Sequence, residues 1–92
     1  MGQFNIKEMR EGRNYWMNTN HAAADVAASI LNAGDPEVTV LFPIVCPREQ
    51  AEAVMDTAIK ICAQRDPETE FEATSTGTRE YRVDMFAAEL DG

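Results

Sequence analysis

Residues 38–46 form a nearly unbroken apolar run, and Pro43 stands inside it. An apolar stretch of this length, rich in valine, reads as a β-strand covered on both faces, or covered on one face with an interface on the other. Proline removes a backbone donor and belongs on an edge strand or at a bulge. The strand therefore either lies at a sheet edge or ends near Phe42, with Ile44 to Cys46 leading out. An apolar edge strand would invite pairing with another chain.

The segments around this run alternate between two periodicities. Phe4 and Ile6, then Tyr15 and Met17, recur every second residue, which predicts two strands joined near Met9 to Gly12, with Ile6 opposite Tyr15 and Glu8 opposite Arg13. Gly12 can supply the positive φ of such a loop. A short helix over Asn5 to Arg10 competes with this reading. Ala23, Val26, Ala27 and Ile30 fall at helical spacing and predict a helix over about Asn20 to Asn32. Thr19 or Asn20 would cap its start, and Gly34 and Pro36 would end it. A second helix is expected from Pro47 to Arg65, on Ala51, Val54, Met55, Ala58 and Cys62. Beyond Asp66 and Pro67, Phe71 and Ala73 alternate with acids, as do Tyr81, Val83 and Met85 with charged residues. This predicts a hairpin. A loop at Thr76 to Thr78 that pairs Phe71 with Val83 and Ala73 with Tyr81 keeps one face dry. The expectation is one domain over residues 1–92, an α+β two-layer sandwich of order ββαβαββ, with two helices on one face of a mainly antiparallel sheet.

Charge narrows the range of functions. The chain carries 16 acidic and 8 basic residues, a formal net charge of −8. Such a protein repels nucleic acid and anionic membranes, and attracts basic proteins. The excess is uneven: residues 1–34 hold three acids and three bases, whereas residues 66–92 hold eight acids and two bases. Asp66, Glu68, Glu70 and Glu72 alternate, so on a strand they would share one face at a spacing of about 6.5–7 Å. Asp84 would lie opposite Glu70, Glu72 opposite Arg82, and Glu80 near the loop. Like charges brought together across strands cost stability. A chain that bears this cost can use the field, because a ladder of carboxylates can occupy a basic channel built for phosphates. A solvated, solubilising face is the plainer account of the same pattern.

Chemistry is harder to find. His21 is the only histidine, without neighbouring cysteines, and is expected at the surface near a helix start. Cys46 and Cys62 fit neither a metal motif nor a disulfide framework and read as buried reduced thiols. No glycine-rich phosphate loop is present. No catalytic, metal or cofactor site is expected. If Tyr15 and Met17 point inward from a strand, Trp16 points outward and could anchor an interface.

Small size, strong acidity and the lack of a catalytic set resemble, in general character, phage-encoded inhibitors such as anti-CRISPR proteins and DNA mimics. No motif carries this resemblance and it transfers no residues. It implies a non-enzymatic, cytoplasmic interaction module, in a bacterial or host cell, that docks on a basic protein or nucleoprotein complex. Glu68, Glu70, Glu72, Glu80, Asp84 and Trp16 are the candidate contacts. The alternative is a ferredoxin-like regulatory domain that self-associates along the Val38–Val45 strand or binds a small ligand.

Overall fold

The computed structural model describes the backbone of residues 3–7 and, in full, residues 12–88. In chain order the elements are β1 (Gln3–Lys7), α1 (Arg13–Met17), α2 (Thr19–Ala33), β2 (Glu37–Leu41), α3 (Arg48–Arg65), β3 (Thr69–Gly77) and β4 (Glu80–Ala87). The fold is α+β, as expected, but its order is βααβαββ and not ββαβαββ.

The difference lies at the N-terminus. Tyr15, Trp16 and Met17 belong to a short helix, not a strand. The alternation that suggested a strand covers too few residues to distinguish a period of 2 from one of 3.6. The predicted Ile6–Tyr15 hairpin does not form. β1 instead runs parallel to β2, with Ile6 opposite Val40. The competing helix over Asn5 to Arg10 is excluded at its start by β1. Glu8 to Glu11, the proposed loop and its Glu8–Arg13 pair, lie outside the described residues. Gly12 does take a positive φ of 105°, but it leads into α1.

α2 and α3 fall close to their expected positions. The carbonyl oxygen of the Asn18 side chain accepts the amide of His21 at 3.2 Å, so the cap lies one residue before Thr19 and two before Asn20, the predicted positions. Gly34 closes α2 in the left-handed region at φ 70°, which a Cβ would disfavour. The small side chains of α2 let it lie close against α3. Ala22, Ala23, Ala27, Ala51 and Ala58 are all fully buried, and the Cys62 thiol donates to the Ala27 carbonyl at 3.7 Å. Together the helices cover one face of the sheet, α2 on the β1 side and α3 on the β3 side. Val38, Val40 and Val83 rise from that face into the core. Each such valine contributes about 1.5–3 kcal/mol by leaving water.

The sheet order is β1-β2-β4-β3. β2 is therefore internal, hydrogen-bonded on both flanks. Of the two ways Pro43 could be accommodated, the strand takes the second and ends at Leu41. Pro43 then opens a turn in which its carbonyl accepts the Cys46 amide at 3.0 Å. The expected self-association along an apolar edge of residues 38–45 loses its basis, because that strand has no free edge.

The C-terminal hairpin keeps the predicted dry face but slips by two residues. Phe71 pairs with Met85, Ala73 with Val83 and Ser75 with Tyr81. A register shift between Ser75 and Gly77 bulges β3, and the loop is Thr78–Arg79. A shift of two leaves every side chain on its own face, so alternation alone could not exclude it.

Candidate functional site: an acidic open face of the sheet

The side of the sheet away from the helices carries Glu37, Thr39 and Leu41 on β2, Glu80, Arg82, Asp84 and Phe86 on β4, and Glu70, Glu72 and Thr74 on β3. Their neighbours Val38, Val40 and Val83 point into the core. Register aligns three of these carboxylates in one row across the strands, because Glu37 is opposite Asp84 and Asp84 is opposite Glu72. Neighbouring strands lie about 4.8 Å apart. Glu70 stands one repeat further along β3, beside the Phe86 ring, which is 49% exposed. At the other end Glu80 folds over Gly77, where an added Cβ would come within 3.3 Å of its Oε1. A Cβ at residue 77 would make the Glu80 side chain give by a few tenths of an ångström, and Gly77 takes no positive φ.

Among residues 12–88 one cation belongs to this face. Arg82 donates from Nε to the Asp84 carboxylate at 3.2 Å, along the strand and not across it. Half exposed, this pair adds little stability, about 0–1 kcal/mol. Among residues 12–88 this face thus carries five carboxylates and one guanidinium, and Glu37 has an interaction of its own.

The predicted contacts divide accordingly. Glu70, Glu72, Glu80 and Asp84 are brought together. Glu72 faces Asp84 where Arg82 was expected, and Asp84 faces Glu72 where Glu70 was expected, both through the two-residue slip. The four-carboxylate ladder is cut short, since β3 begins at Thr69. Asp66 instead takes up the turn after α3, where its Oδ2 accepts the Thr69 hydroxyl at 2.8 Å. Glu68 lies in that same turn, exposed, its carbonyl accepting the Ala88 amide. Trp16 is not a surface anchor. It is 1% exposed, edge-on to Tyr15 and Phe42, because α1 turns it inward. Glu37 was missed, and nothing local marks it: only the β2–β4 register carries it to the row.

The other reactive groups are secluded. Burial pushes both thiols up to about 11, against the smaller opposing pull of Arg79 on Cys46 and of Arg65 on Cys62. Neither is a thiolate near neutrality. The His21 ring stacks edge-on against Tyr15, whose hydroxyl donates to Asp25. Among the described residues no group of three His, Cys, Asp or Glu is arranged to hold a metal ion, and no helix is long and apolar enough to cross a membrane.

No protein-family model, no curated protein and no solved structure matches this chain.

Proposed function

We propose that the chain is a non-enzymatic interaction module of inhibitor type, which docks the open face of its sheet on a basic, nucleic-acid-binding surface of a partner protein. The observation that carries this reading is the cross-strand row Glu37, Asp84 and Glu72, extended by Glu70 and Glu80 on the same side of the sheet. Opposed like charges cost the fold stability. A cationic partner relieves what the Arg82–Asp84 pair leaves of that repulsion, so association gains the new attraction and part of the old strain. Complementary fields of this kind speed encounter and suppress wrong partners. Leu41 and Phe86, exposed at opposite ends of the face, supply apolar contact beside the charge.

The test is capture from cell lysate by the wild-type protein and by the triple variant Glu70→Lys, Glu72→Lys, Asp84→Lys, at low and high salt and with duplex DNA as competitor. The reading expects a captured nucleic-acid-binding protein that is displaced by salt and by DNA, and that the triple variant no longer retains. Equal capture by both proteins would count decisively against it.

A further inference from the structure

β3 is an edge strand of nine residues with no proline or lysine in it. The hydrogen bonds fix which of its backbone groups are free. The Met85 amide donates to the Pro36 carbonyl, and the Arg79 carbonyl accepts the Phe42 amide. Odd-numbered residues of β4 therefore turn their backbone groups toward β2, and even-numbered ones turn theirs toward β3. Asp84 and Phe86 bond Glu72 and Glu70. That leaves the N–H and C=O of Phe71 and Ala73, which alternate with them, directed outward from the sheet.

Beside this edge lies a groove between α3 and β3. The groove, of about 340 Å³, is lined by Asp56, Ile59, Lys60 and Ala73. A separate, smaller pocket of about 130 Å³ lies nearer the hairpin loop, among Arg48, Glu52, Ser75 and Tyr81. The four charged residues beside the two on α3, Arg48, Glu52, Asp56 and Lys60, sum to zero, while Ile59 and Ala73 give the groove apolar walls. The other side of the edge is different, since Glu70 and Glu72 stand exposed on the open face.

We propose that this edge takes up an extended segment of the partner protein as an additional strand, with lysine or arginine alternating with small apolar residues. The segment's backbone pairs with Phe71 and Ala73. Its apolar side chains enter the groove over Ile59 and Ala73, and its cationic ones lie about 4.8 Å across from Glu70 and Glu72. A second copy of β3 paired antiparallel about Phe71 or Glu72 sets glutamates against glutamates, which disfavours it as the occupant of that stretch. The same acids that oppose self-association there admit a cationic strand. This rests on the open-face reading only for the charge of the segment.

The experiment uses a short capped peptide alternating lysine with valine, its binding followed by amide chemical shifts of the protein. Ala73→Pro removes an outward N–H and leaves the bonds to β4 in place. Strand addition predicts shifts centred on residues 69–75 and a loss of affinity of about tenfold or more with Ala73→Pro. A wild-type protein offered a peptide N-methylated at alternate residues should show the same loss, with no possibility of a folding defect. Undiminished binding in both arms, or shifts centred away from β3, overturns the proposal. Loss only on Glu70→Lys with Glu72→Lys overturns strand addition and leaves open-face docking standing. Loss in the backbone arms without loss on charge reversal sinks the open-face reading and, with it, the cationic character assigned to the segment.

Discussion

Arg79 ties the hairpin loop to the turn after β2. Its Nε donates to the Cys46 carbonyl at 2.8 Å, while its own carbonyl accepts the Phe42 amide at 2.9 Å. The residue thus holds both ends of the segment that Pro43 forces out of the sheet, and Ile44, 81% exposed at the tip, is presented on a fixed base. Replacing Arg79 by Ala should cost about 1.5–3 kcal/mol, the range for hydrogen bonds to charged groups. Amide exchange should quicken at Cys46 more than in α2. Arg79→Lys should recover part of the stability. Uniform loss of protection across the domain would argue against a local clamp.

Trp16 buries its indole with Nε1 unpartnered. Truncation to Ala should cost about 3–5 kcal/mol through the cavity it leaves. Trp16→Phe should cost distinctly less, because removing the unsatisfied donor offsets part of the lost packing. Denaturant midpoints of the two variants decide this, and equal losses would show that the nitrogen does not matter.

Relief of like charge should be measurable without any partner. Glu72→Lys places a cation opposite Asp84 and should stabilise the fold by about 0.2–1 kcal/mol. The gain should shrink toward nothing at about 1 M salt, where the screening length falls to about 3 Å. A salt-independent change would trace to packing instead.

Both buried thiols have folded-state values raised from 9.0 to about 11. The unfolded chain then releases their protons at lower pH than the folded chain does. The stabilisation is complete below pH 9.0 and is lost as pH rises toward about 11. Each thiol accounts for something on the order of 2 kcal/mol across that window. The Tyr81 phenol, also raised by burial and then by Glu52 and Asp56, adds to the same slope. The denaturant midpoint should fall over this range, and Cys46→Ala with Cys62→Ala should flatten most of the decline. An unchanged slope in the double variant would assign it to tyrosine and lysine.

α2 and α3 were legible because each holds a stripe of apolar residues over many turns, ended by Gly34 in one case and bounded by Pro47 and Asp66 in the other. The hairpin was legible as to which side of each strand is dry. Its register was not, since a slip of two preserves the alternation and the Thr76 bulge adjusts the count. α1 was misread because five residues are too few to reveal a period. Glu70, Glu72, Glu80 and Asp84 could be grouped from alternation, but their cross-strand partners could not.

By itself the sequence determined what is local: helical stripes, the Gly34 end of α2, the break that Pro43 makes in its apolar run, and the surplus of acid in the last third of the chain. Tertiary structure alone decided what depends on distant pairing. It set β1 parallel to β2, enclosed β2 between two strands, turned Trp16 inward, and carried Glu37 into line with Asp84 and Glu72. The reason is that a side chain's direction follows from its own backbone, whereas its neighbour across a sheet follows from packing the whole core at once.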